Sequence, residues 1–116
     1  PVLPGITDRP DQLEPLVKAV SEAGASRLSA CALRLRSTAR KTYLPFIEKE
    51  FPALAPRYRA TYARSHNAGE RYREGLHRYF VKICARYGVP FGYQDVSDEA
   101  DDDETEVLDA QLVFEF

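Results

Sequence analysis

Outside its carboxylates and amines, this sequence offers few side chains with a reactive group. Two histidines (His66, His77), two cysteines (Cys31, Cys84) and the neighbouring acids Asp8 and Asp11 are the ones that could support nucleophilic, acid–base or metal chemistry. A Ser-His-Asp set needs a histidine held between two partners, whereas His66 falls in a predicted turn and His77 on a predicted helix. Cys31 and Cys84 are too few for a disulfide framework and lack the close spacing of metal ligands, so buried, reduced thiols are expected. Asp8 and Asp11 stand where a helix begins, and capping its free N–H groups accounts for both. These residues assemble no catalytic site and no metal site.

A second chemistry is phosphate binding. Between Arg27 and Arg86 fourteen bases face four acids, and Arg57, Arg59, Arg64, Arg71, Arg73 and Arg78 lie among Tyr58, Tyr62, Tyr72 and Tyr79. Such a mixture can neutralise a nucleic-acid backbone and stack its bases. It equally fits amphipathic helices whose arginines are solvated and whose tyrosines are core. Both readings stay open at the level of sequence.

The charge of the chain is divided. Its 116 residues carry 16 bases, 18 acids and 44% hydrophobic residues, an ordinary balance for one globular domain. All sixteen bases lie before residue 95 against eight acids, a net +8, whereas residues 95–116 hold ten acids and no base. The block Asp98–Glu104 repels itself and buries no apolar area, which predicts a disordered acidic tail over 91–116. That tail can fold back over the basic helices as an intramolecular competitor for phosphate, an effect screened by salt. No run of 18 apolar residues spans a membrane and the first residues lack a signal-peptide pattern, so a cytoplasmic location is the default. The sequence has no Met, which points to a fragment of a longer protein.

The elements that must position these residues follow from the pattern. Val2–Ile6 reads as a strand closed by Gly5, and the next helix has Asp8 or Asp11 as cap, Glu14 in a capping box and Pro10 in its first turn. Leu13, Leu16, Val17, Val20 and Ala23 form its apolar face, and Gly24 ends it. Ser26–Leu35 reads as a second strand, so residues 1–36 make a βαβ unit with a short parallel strand pair. From Ser37 a helix runs to Phe51 with a kink at Pro45 and a stop at Pro52. Another helix covers about 53–64. The last starts at Asn67 or Ala68, carries the stripe Tyr72, Leu76, Tyr79, Phe80, Ile83 and Tyr87, and ends at Gly88 and Pro90. The predicted class is α/β, with three helices in 37–90 after the strand pair.

Pro1-Val2-Leu3-Pro4-Gly5-Ile6-Thr7-Asp8, then Gln12-Leu13-Glu14, Glu22-Ala23-Gly24-Ala25 and Leu33-Arg34-Leu35-Arg36, resemble the late barrel units of radical SAM proteins of the spore photoproduct lyase-like, or DNA repair photolyase-like, branch. Phe51-Pro52, Pro56-Arg57-Tyr58, Tyr62-Ala63-Arg64 and Arg86-Tyr87-Gly88 resemble that branch's C-terminal helices, so the likeness covers about residues 1–90. It implies a partial (β/α) barrel and a parent enzyme that binds a 4Fe–4S cluster and cleaves S-adenosylmethionine reductively, acting on nucleic acid. Nothing here matches the family's Cys-x-x-x-Cys-x-x-Cys loop, so this chain alone is not expected to be active or to hold the cofactors stably. The resemblance puts Pro4, Gly5, Ile6 and Thr7, with Leu33 and Leu35, near the adenosyl part of the cofactor. Strand carboxyl ends line the ligand site of barrels generally.

Gln111-Leu112-Val113-Phe114-Glu115-Phe116, after its acidic spacer, resembles the peptides that dock DNA-repair proteins in the bacterial sliding clamp. Gln111, Leu112, Phe114 and Phe116 would be the contacts. The expected partners are thus the rest of the barrel, nucleic acid and the clamp. The alternative function is a standalone basic module that binds nucleic acid or protein.

Overall fold

The computed structural model describes residues 1–92. They form four helices: α1 Pro10–Glu22, α2 Ser37–Glu50, α3 Ala55–Thr61 and α4 Glu70–Tyr87, with α1 packed on α4 and α2 on α3. The acidic block and Gln111–Phe116 lie outside the described residues.

The α/β expectation is overturned, because among the described residues there is no strand and the fold is all-helical. What remains of the expected strand pair is one parallel bridge, Val2 with Ala32, and a second such bridge joins Leu28 to Phe91. Pro4 is the reason that the first goes no further. Val2 N–H donates to Cys31 O (2.8 Å) and Leu33 N–H to Val2 O (3.0 Å), so the next rung needs an N–H at position 4. Proline has none. The groups that the missing rungs would have used find other partners: Leu33 O accepts from Tyr62 Oη (2.7 Å), Pro4 O from Tyr58 Oη (2.6 Å), and Leu35 N–H turns to His66 O (2.7 Å). Backbone groups cannot be left unpaired in the interior, so the phenols take over the satisfaction that a sheet would have supplied.

α1 begins at Pro10, whose fixed φ suits a first helical position. Its N-cap is Arg9 rather than either aspartate: Gln12 Oε1 accepts the Arg9 N–H at 3.1 Å, and Asp11 pairs with the Arg9 guanidinium at 3.1 Å. The expected Asp11–Glu14 box does not form, since Glu14 faces α4, accepting from Tyr87 Oη (2.6 Å) and Arg86 (3.1 Å). Ser21 Oγ donates to Tyr87 O at 2.7 Å, a second strap between α1 and α4. Leu13 and Val17 are buried as expected, but Leu16 is 54% exposed. It sits off the line that Leu13, Val17 and Val20 make toward the core.

α2 continues through Pro45 to Glu50, and the next helix is shorter than expected, seven residues from Ala55. α4 starts at Glu70 with Gly69 as N-cap and ends with Gly88 in the left-handed region (φ 73°). Of its predicted stripe, Tyr72, Leu76, Tyr79, Phe80 and Ile83 are buried and Tyr87 is half-buried. Phe91 stacks on Phe80 with ring centroids 5.3 Å apart, so the first residues of the expected tail belong to the folded body.

Candidate functional site

The most tightly determined feature is the Pro4–Asp8 turn, on which the resemblance placed four ligand residues. Gly5 takes φ +77°, a region that glycine enters without penalty. Ile6 and Thr7 N–H both donate to Leu3 O at 3.0 Å, and Leu3 N–H donates to Thr7 Oγ1 at 2.9 Å. Gly5 N–H donates to Asp8 Oδ2 at 2.9 Å, and Gln12 Nε2 reaches Ile6 O at 3.1 Å. The turn therefore satisfies its own backbone donors from within.

Three buried tyrosines support it from below. Tyr58 holds Pro4 O, Tyr62 holds Leu33 O, and Tyr72 Oη donates to Asp8 Oδ2 at 2.9 Å. Tyr43 Oη lies 3.3 Å from Tyr58 Oη and extends the chain of hydroxyls toward α2. Burial pushes the ionisation of Tyr58, Tyr62 and Tyr72 well above the ordinary phenol value, and the adjacent Asp8 charge raises Tyr72 further. At neutral pH each is a fixed proton donor, which is what a carbonyl or carboxylate partner requires.

Of the six residues tied to the adenosyl group, Pro4 and Leu35 are buried, whereas Gly5 is exposed and Ile6, Thr7 and Leu33 are half-buried. The bridge at Val2 and the Tyr58 and Tyr62 bonds bring the 4–7 turn and the 33–35 segment side by side. Gly5 is open to solvent, but Leu54 stands against it, since a Cβ at Gly5 would lie 3.1 Å from Leu54 Cδ1 and Cδ2.

The other predicted residues are placed differently. Arg57, Arg59, Arg64, Arg71, Arg73 and Arg78 are all exposed, but divided between α3, the following loop and α4, which do not pack on each other. Arg59 pairs with Glu48 at 2.5 Å and Arg73 Nε donates to Ala68 O at 2.9 Å. The interleaved Tyr58, Tyr62 and Tyr72 are fully buried and Tyr79 nearly so, and none presents a face for a base to stack on. Cys84 is buried, but Cys31, contrary to expectation, is exposed; both are free thiols. His77 packs beside Phe91, ring centroids 5.6 Å apart. Among the described residues no three His, Cys, Asp or Glu side chains are grouped so as to hold a metal ion, and no helix is long and apolar enough to cross a membrane.

Sequence reasoning missed Asp8 as the anchor of the turn and the tyrosine hydroxyls as its supports. The signal available was Asp8 three residues after Gly5, a spacing at which an aspartate can reach back to a backbone N–H, which competed with a helix cap for the same side chain.

The chain is similar to the uncharacterized protein Rv2578c of Mycobacterium tuberculosis (strain ATCC 25618 / H37Rv) and to the uncharacterized protein Mb2609c of Mycobacterium bovis (strain ATCC BAA-935 / AF2122/97). Each is 32% identical over 87 residues, covering 75% of this chain and 26% of the relative. No family model and no solved structure matches. The chain thus spans about a quarter of the length of the curated relatives it matches.

Proposed function

We propose that this chain is a segment of a radical S-adenosylmethionine enzyme of the spore photoproduct lyase-like branch, and that its Gly5–Thr7 turn with Leu33 forms part of the wall against the adenosyl group. The observation that carries the reading is the construction of the turn. Residues 4–8 and 33–35 are the stretches with the family-like motifs, they lie side by side, and three buried phenols and a buried carboxylate fix the backbone between them. Rigid placement of a short turn that itself exposes only Gly5 and parts of Ile6 and Thr7 is what a binding wall needs and what a plain connecting loop does not.

The donor chemistry limits what this segment contributes. A 4Fe–4S cluster is held by thiolates, and the one exposed thiol, Cys31, has no second cysteine beside it, so these residues do not fit the cluster. The adenosyl group asks for less: an apolar wall and a close backbone, which Leu33, Ile6 and Gly5 provide. The reductive cleavage of S-adenosylmethionine would depend on groups outside the described residues. The role of this chain's own residues is to shape the wall and exclude water from it. The match over only 26% of the relatives' length supports a reading in which other segments supply the remaining parts.

The test is anaerobic reconstitution of the full-length protein, read by iron–sulfur absorbance and by formation of 5′-deoxyadenosine from S-adenosylmethionine. Both signals are expected. Absence of both from a folded, iron-loaded preparation refutes the proposal.

A further inference from the structure

α1 is covered on one flank and bare on the other. At about 100° of turn per residue, Leu13, Val17 and Val20 mark its line toward the core, the first two buried and Val20 half-buried. Glu14 and Ser21 lie roughly 90° to one side of that line. There α4 is held by Tyr87 Oη and Arg86 on Glu14, at 2.6 and 3.1 Å, and by Ser21 Oγ on Tyr87 O at 2.7 Å. Asp11, Lys18 and Glu22 fall on the back of the helix and are exposed. Every charge of α1 therefore lies on the α4 flank or on the back.

The flank away from α4 has another character. Leu16, Ala19 and Ala23 fall there within about 60° of one another, all exposed, with Leu16 at 54%. This uncharged strip runs for two turns, about 10 Å. A helix surface that faces water carries charge, as the back of α1 does, whereas a leucine beside alanines three and four apart makes the ridge and groove by which helices pack at about 8–10 Å. Among the described residues α4 is the helix that packs on α1, and it occupies the opposite flank. No base stands on the strip to meet a phosphate. The relatives are matched over only 26% of their length, so most of such a polypeptide lies outside the matched part.

We infer that the Leu16, Ala19 and Ala23 flank is an internal interface of the longer protein, covered by the apolar, uncharged face of a helix from outside this segment. The inference rests on the reading of this chain as a segment of a longer enzyme, and on no part of its cofactor chemistry. The α4 flank is fixed by polar straps. This one closes by apolar burial alone, with Leu16 as the side chain that inserts into the partner helix.

Thiol labelling of the full-length protein tests this. Leu16→Cys, Ala19→Cys and, as the reference, Lys18→Cys are each made in a Cys31→Ser background, because Cys31 is itself exposed, and are read by the mass of the labelled α1 peptide. All three positions are exposed on α1, so the substitutions leave the core of this segment intact. The thiols at positions 16 and 19 are expected to react with a maleimide at least about ten-fold more slowly than the thiol at 18. That protection is expected to persist when the protein is diluted about a hundred-fold. Equal labelling at 16 and 18 overturns the inference. Protection that disappears on dilution also overturns it, and assigns the flank to a second copy of the protein. Labelling needs neither iron nor S-adenosylmethionine, so this test and the reconstitution can fail independently.

Discussion

Tyr72 Oη donates to Asp8 Oδ2 at 2.9 Å, and the same carboxylate oxygen accepts the Gly5 N–H at 2.9 Å. One oxygen thereby ties the last helix to the first turn, across 64 residues of chain. Tyr72 is fully buried and Asp8 is 9% exposed, so neither group recovers its bond from water if the other is removed.

Tyr72→Phe removes that donor and leaves Asp8 Oδ2 to the Gly5 N–H. Hydrogen bonds to charged groups contribute about 1.5–3 kcal/mol, and this variant should lose stability in that range. Urea unfolding followed by circular dichroism measures it. A loss below about 0.5 kcal/mol, the level of an ordinary surface change, contradicts the role given to this pair.

Gly5→Ala should also destabilise, for two separable reasons. The backbone sits at φ +77°, which costs a residue with a Cβ roughly 1–2 kcal/mol, and the added carbon would stand 3.1 Å from Leu54 Cδ1 and Cδ2. Leu54→Ala opens that space but leaves the φ penalty. In a double-mutant cycle, Gly5→Ala should therefore cost less in the Leu54→Ala background, without falling to zero. Equal costs in both backgrounds would remove the steric part.

The phenols predict how stability varies at high pH. Tyr58, Tyr62 and Tyr72 ionise in the folded chain well above the ordinary value of 10.0, chiefly because they are buried, whereas in the unfolded chain they ionise near it. The raised folded value means that their contribution is complete below pH 10 and is lost as pH rises beyond it, when only the unfolded state releases the protons. Unfolding should accompany phenolate formation in a cooperative step above pH 10, seen together in ultraviolet absorbance and circular dichroism. Gradual, independent titration of all seven tyrosines with the helices intact would contradict this.

For the proposed function, Leu33→Asn in the full-length protein should lower S-adenosylmethionine affinity about ten-fold while leaving iron–sulfur absorbance unchanged, because it makes the wall polar and touches no thiolate. Isothermal titration with S-adenosylmethionine reads it, and unchanged affinity in a folded Leu33→Asn protein would move the adenosyl wall elsewhere.

The helices were largely legible because their signals are local. Pro10 at a first turn, Gly88 beyond a last one and the Tyr72-to-Ile83 stripe each act within a few residues. The strand pair was misread for an equally physical reason. Val2–Ile6 and Ser26–Leu35 have strand-like composition and do lie parallel, but pairing needs donors in register, and Pro4 removes the one that would extend it. At the candidate site the turn is legible in the sequence and its supports are not. Tyr58, Tyr62 and Tyr72 announce themselves as core by spacing, but which carbonyl or carboxylate each hydroxyl meets depends on partners 54, 29 and 64 positions away. Asp8 reads as a helix cap in the sequence because a single aspartate before a helix fits both roles.

The replacement of sheet rungs by phenols also governs the order in which the chain can mature. A strand pair between residues 2–6 and 28–35 would close as soon as both had been made. Here the carbonyl of Pro4 waits for Tyr58, Asp8 waits for Tyr72, and α1 waits for Tyr87 to receive the hydroxyl of Ser21. Such distant closures are slow, because the chain entropy of the loop is spent before any contact repays it. During synthesis Asp8 and Ser21 therefore stay without their final partners until α4 has been made, and the turn is completed only after the helices that follow it.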